Sequence, residues 1–205
     1  MARMQEALSP NEAALVTGVP LKQVHRFVDA GLLEGAITRR AGARVILGRG
    51  LVGLKLAYET ADVLTPEGRR RLVRRLLERP RAKTVEESAV MIDVRKIESA
   101  IRLGLDALDK ARKAVAIDQD VLDGAPCFKG TRIPVHDIAA MVVNGHRKAV
   151  IQKAYPQLTA EQIELAVLYA EAYPRRGRPR RKPIWRKERP LSSERLSLRN
   201  LPRAS

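Results

Sequence analysis

Between Pro20 and Gly31 the chain places Lys22, Gln23, His25 and Arg26 among Val24, Phe27 and Val28. At 3.6 residues per turn the apolar three share one face of a helix, and the polar four lie off it. Lysine and arginine donate to guanine edges and glutamine pairs with adenine, so this polar set is suited to reading bases. Shortly afterwards Arg39, Arg40 and Arg44 supply guanidiniums that fit phosphates or a minor groove. Six more arginines, Arg69, Arg70, Arg71, Arg74, Arg75 and Arg79, fall within one helical segment. They could follow a phosphate backbone or form a solvated face. A last set, Arg175, Arg176, Arg178, Arg180, Arg181 and Arg186, surrounds the single tryptophan, Trp185, and is followed by Leu191 and Leu196.

Catalytic and metal chemistry is not signalled. His25, His136 and His146 are scattered, with no carboxylate or cysteine at ligand spacing. Asp118, Asp120 and Asp123-Gly124 are wrongly spaced for a calcium loop, and Lys129 stands where its closing glutamate belongs. Cys127, the one cysteine, has no histidine partner and reads as a small buried apolar residue. A phosphate-cradling glycine loop and a nucleophile elbow are both missing from the sequence. The expectation is a binding protein rather than an enzyme, with no metal and no cofactor.

Charge placement supports that expectation. The 205 residues carry a net +16, distributed as +8 over residues 1–83, 0 over 84–113, −2 over 114–173 and +10 over 174–205. Two basic ends around a neutral middle suit two negatively charged partners. Aromatic residues are 3% of the chain, so the core must be aliphatic and base-stacking platforms are not expected. A lone cysteine rules out an internal disulfide framework and suits a reducing cytoplasm. MARMQEALSP has no apolar signal core, and no stretch approaches the ~20 apolar residues of a membrane span. The expected location is therefore the cytoplasm, without a membrane partner.

The elements that must position these residues follow from local signals. Ser9, Pro10 and Glu12 start a helix whose apolar face is Ala13, Ala14 and Val16. Gly18 makes a turn, Pro20 opens the second helix and Gly31 caps it. A hairpin follows, with Ile37–Arg40 and Val45–Leu47 joined by Ala41-Gly42. Helices are expected over 50–61 and 65–79, the second capped by Thr65. Residues 84–93 are β-rich, and 94–113 form a helix with Ile97, Ile101, Leu105 and Leu108 in register. Residues 114–135 read as short β segments with turns at Asp123-Gly124 and Lys129-Gly130. Three helices follow over 135–144, 147–154 and 159–173, the last capped by Thr159 and Gln162. Residues 174–205 are too basic and proline-broken to form a core alone.

The first ~50 residues resemble the winged helix-turn-helix of MerR-type regulators. The matching residues are Glu12-Ala13-Ala14, Thr17-Gly18-Val19-Pro20 and Gly31-Leu32-Leu33; His25 and Phe27 stand where that family usually has a tyrosine pair. Residues 114–173 resemble a small domain of VapB-type antitoxins. They carry its G-x-P-x-x-x-G-T-R-I-P-V hallmark as Gly124, Pro126, Gly130, Thr131, Arg132, Ile133, Pro134 and Val135, and later Tyr155-Pro156, Leu158-Thr159 and Gln162-Ile163. This second resemblance implies a dimerising, helix-turn-helix-like domain and a partner PIN-like ribonuclease toxin. Such toxins hydrolyse RNA with Mg²⁺ held by clustered carboxylates.

Together these readings give a mainly α chain with short β hairpins in four segments. Residues 1–83 form a winged helix-turn-helix DNA-binding domain, 84–113 a strand and connecting helix, 114–173 a dimerisation domain, and 174–205 a toxin-binding tail. The expected function is that of an antitoxin that binds operator DNA as a homodimer and inhibits its cognate toxin through the tail. A stand-alone MerR-like regulator and an RNA-binding protein are the alternatives.

Overall fold

Ser9 starts the folded chain. Its hydroxyl accepts from the Glu12 N–H at 3.4 Å, and the Glu12 carboxylate accepts from the Ser9 N–H at 2.7 Å. This capping box satisfies two amides that a helix start otherwise leaves unpaired. The computed structural model describes residues 6–175. In order they form α1 (Pro10–Thr17), α2 (Leu21–Asp29), β1 (Ile37–Arg40), β2 (Ala43–Ile46), α3 (Gly48–Glu59) and α4 (Pro66–Glu78). Then come β3 (Thr84–Glu87), β4 (Val90–Asp93), α5 (Val94–Lys113), β5 (Val115–Ala116), β6 (Cys127–Phe128), α6 (Val135–Val143), α7 (Lys148–Ala154) and α8 (Ala160–Ala172).

The described chain is therefore mainly helical, with three two-stranded antiparallel sheets. In the first, Ile37 pairs with Ile46 and Arg40 with Ala43, around the left-handed Ala41-Gly42 turn. Leu8 extends this sheet by exchanging both backbone hydrogen bonds with Ile46, at 2.9 and 2.8 Å. No helix among the described residues is long and apolar enough to cross a membrane.

Two apolar clusters fill the interior. The first runs from Leu8 through Val24, Leu33, Leu54 and Leu72 to Leu108, with Ala172 added from the far end of α8. The second joins Ala111 and Phe128 to Ile138, Ile163 and Tyr169. Helix α5 belongs to both. At 1.5 Å per residue its 20 residues span about 30 Å. Ile97, Ile101, Leu105 and Leu108 enter the first cluster and Ala111 enters the second.

Residues 84–108 contribute Val85, Val94 and Ile97 to the first core. The apolar stripe of α5 is buried inside the chain against α1, α3 and α8. Burying each of its isoleucines and leucines contributes about 1.5–3 kcal/mol before ordering entropy is set against it. Any second copy must therefore meet a different surface.

The approach of α1 to α5 depends on Gly104. A Cβ there would lie 2.3 Å from the Val16 carbonyl oxygen and 2.9 Å from the Val16 Cα. Only a residue without a side chain lets the two backbones come this close.

Candidate nucleic-acid interface

The α1–α2 turn is built by Thr17 and Gly18. The Thr17 hydroxyl donates to the Ala13 carbonyl at 2.6 Å and accepts from the Val19 N–H at 3.3 Å. Gly18 takes the left-handed conformation at φ 68°. Lys55 of α3 donates to the Thr17 carbonyl at 3.0 Å, placing a cation at the carbonyl end of α1, where the helix dipole favours it.

Helix α2 is two-faced as its residue order predicts. Val24, Phe27 and Val28 are buried, Lys22, His25 and Arg26 are exposed, and Gln23 is half-buried. Arg39 and Arg40 on β1 are exposed. Arg44 on β2 is also exposed but donates to Asp29 at 2.6 Å, tying the hairpin to the end of α2. That partner was not evident in the sequence, and it reduces the charge Arg44 has free for a phosphate. The structure thus brings Lys22, Gln23, His25 and Arg26 onto one helix and sets Arg44 beside its end, with Arg39 paired to Arg44 across the hairpin.

The arginines of α4 separate into groups. Arg71 donates to Glu87 on β3 at 2.7 Å, and Arg75 approaches the same carboxylate at 3.3 Å. Glu87 is 3% exposed, and these two guanidiniums are its counter-charges. Arg70 instead donates to the Ala30 carbonyl at 3.2 Å, and the Arg69 guanidinium lies 6.0 Å over the Phe27 ring. In the sequence the six form one row. Only the position of Glu87 in the hairpin divides them.

The hallmark string of residues 124–135 is largely structural. The Thr131 hydroxyl donates to the Phe128 carbonyl at 2.9 Å and accepts from the Ile133 N–H at 3.2 Å. The Phe128 N–H donates to the Ile133 carbonyl at 3.0 Å, and Val135 to Pro126 at 2.9 Å. Gly130 sits at φ 77° in this loop. Phe128, Ile133 and Val135 are buried as a result, and Arg132 is left exposed. Cys127 is buried as expected, and burial pushes its thiol pKa up.

The end of α8 is tied to the start of α1. Arg112 on α5 donates to Glu12 at 2.7 Å, to Glu6 at 2.5 Å and to the Tyr173 hydroxyl at 2.5 Å. The Tyr173 hydroxyl in turn donates to Glu12. Burial alone would raise the Glu12 pKa, but bonds from Tyr173, Arg112 and Ser9 outweigh it and hold the carboxyl below its ordinary 4.5. Burial and the bond to Glu12 push the Tyr173 hydroxyl up to about 12. Burial would likewise lower the Arg112 pKa, but its bonds to Glu12, Tyr173 and Glu6 raise it instead. His136 meets the Tyr173 carbonyl at 2.7 Å, and Arg175 pairs with Asp137. Apart from the Ser9–Glu12 cap, this network was not legible in the sequence. Arg176, Arg178, Arg180, Arg181, Trp185, Arg186, Leu191 and Leu196 lie outside the described residues.

The architecture is that of a mainly helical protein whose segment 115–170 matches the family described as "Protein of unknown function (DUF433)". That segment runs from β5 into α8. A curated relative, the uncharacterized protein y4eO of Sinorhizobium fredii (strain NBRC 101917 / NGR234), is 36% identical over 193 residues. The alignment covers 88% of this chain and 87% of y4eO, and the chain belongs to the family of that protein. Among solved structures, Rv2018 from Mycobacterium tuberculosis is similar at 17% identity, with a TM-score of 0.33, over 78% of this chain and 96% of that one.

Proposed function

We propose that this protein is the antitoxin of a type II toxin–antitoxin pair, repressing its own operon by binding DNA and neutralising a PIN-like ribonuclease through residues 174–205. The observation that carries the DNA-binding half is the solvent-facing row on α2. Lys22, His25 and Arg26 are exposed with no ion pair among the described residues, while Val24, Phe27 and Val28 anchor the helix from behind. In this reading α1 and α2 are the helix-turn-helix and β1–β2 is its wing. Helix α2 enters the major groove, with Lys22, Gln23, His25 and Arg26 toward base edges and Arg39, Arg40 and Arg44 toward phosphates. A homodimer reads two half-sites, and its contact surface lies away from the buried stripe of α5.

The toxin-binding half is supported by composition. The tail carries +10 in 32 residues, with Trp185, Leu191 and Leu196 as apolar anchors. A PIN-like centre is a carboxylate cluster whose like charges repel unless a cation is present. An arginine among Arg175, Arg176, Arg178, Arg180, Arg181 and Arg186 supplies that cation with bidentate geometry, in competition with Mg²⁺. The test is co-expression with the product of the adjacent gene. A stable complex and rescued growth support the reading, and free growth inhibition with no complex refutes it.

A stand-alone regulator is the second reading. It is favoured by the position of every DNA-facing side chain within residues 6–175, which needs no tail. Operator binding without any toxin partner would select it.

A further inference from the structure

A pocket of about 280 Å³ opens between α2 and α4. Phe27, Tyr58 and Pro66 give it aromatic and apolar walls, and Arg26, Arg69 and Arg70 complete its lining. Glu87 accounts for Arg71 and Arg75 on the same helix. Among the described residues Arg26, Arg69 and Arg70 have no carboxylate partner; Arg70 reaches only the Ala30 carbonyl. The Nε of Arg69 is buried over Phe27 with no acceptor. A buried donor left unpaired is unfavourable until a water or an anion completes it, and an anion suits a pocket lined by three arginines.

We propose that this pocket binds a phosphate group. Guanidinium forks match phosphate oxygens bidentately, and a dianion complements the charge of a pocket lined by three arginines. The walls of Phe27, Tyr58 and Pro66 take the less polar remainder of a phosphate ester. Two sources offer this chemistry: a backbone phosphate of DNA lying on α2, or a free phosphorylated small molecule. Gln23 and Arg26 belong both to the pocket and to the polar row of α2, so a free ester in the pocket competes with DNA. The first source rests on the nucleic-acid reading above, and the second does not.

The experiment uses the full chain. Inorganic phosphate and adenosine monophosphate are titrated calorimetrically without DNA at constant ionic strength, and a short duplex is titrated by fluorescence anisotropy across a salt series. The variants are Arg69→Met and Arg70→Met, the second on an exposed side chain. Arg102→Met on the exposed face of α5 is the control for lost charge.

If a free ester is the source, phosphate or the nucleotide binds without DNA and the pocket variants lose about tenfold in affinity. If DNA is the source, the slope of log affinity against log salt falls by about 0.9 in the pocket variants and not in Arg102→Met. The proposal is overturned if neither ligand binds, or if Arg102→Met weakens binding as much as the pocket variants. Should Arg69→Met fail to fold, Arg70→Met decides. The free-ester titration involves neither DNA nor a toxin, so its failure and that of the antitoxin reading are distinguishable.

Discussion

Replacing Arg112 with methionine tests how the two apolar clusters are joined. Methionine keeps much of the side-chain volume and removes the charge. Of the three bonds removed, the one to Glu6 contributes little, because the Glu6 side chain is 46% exposed. The bond to Glu12 dominates, since that side chain is only 10% exposed. Losing one charge-assisted hydrogen bond costs about 1.5–3 kcal/mol. Glu12 keeps its Tyr173 and Ser9 donors, so the variant avoids the larger penalty of a fully orphaned buried charge. At roughly 2–4 °C per kcal/mol for a domain of this size, the midpoint of thermal unfolding should fall by about 3–12 °C at neutral pH.

The pH dependence supplies a second signature. The folded-state pKa of Glu12 is depressed, so the stability it contributes is fully present above its ordinary 4.5 and is lost as pH falls through the folded value. The gap between wild type and Arg112→Met should therefore stay level from neutral pH down to 4.5 and close below it. Calorimetric melts across that range measure the gap. A shift under about 1 °C at neutral pH, or a gap that persists undiminished well below 4.5, would overturn this account of Arg112.

Gly104→Ala should destabilise the protein by about 1–3 kcal/mol despite alanine's better helix propensity, because its Cβ meets the Val16 backbone; a raised melting midpoint would contradict the α1–α5 approach. Changing Lys22, Gln23 and Arg26 together to alanine should cost about 1–3 kcal/mol of operator affinity for each base-reading side chain removed. The melting midpoint should move little, and unchanged operator affinity would remove α2 from the interface. Deleting residues 176–205 keeps the Arg175–Asp137 pair and should abolish toxin neutralisation while most operator binding remains. Equal protection of growth by the truncated and full-length proteins would assign the tail another role.

Features settled within a few residues were legible in the residue order. The capping boxes of Ser9 with Glu12 and Thr159 with Gln162 formed as read, because each needs only a hydroxyl and a carboxylate or amide three positions apart. The hairpin at Ala41-Gly42, the turn at Gly18 and the two faces of α2 were legible for the same reason. The candidate base-reading residues follow from that local order, and the structure leaves Lys22, His25 and Arg26 in solvent.

What those elements touch was settled only by the packed chain. The α5 stripe announced a helix with something to bury but could not name its neighbour, and the structure gave it to α1, α3 and α8. Gly104 offered one clue, since an isolated glycine within a helical pattern often marks close packing. Glu87 chose Arg71 and Arg75 and left Arg69 and Arg70 to the α2 pocket. Glu12, read as a cap, also holds Arg112 and Tyr173, which stand 100 and 161 positions away. Contacts at such separations depend on the path of the whole chain between them, so no local pattern of residue types could specify them.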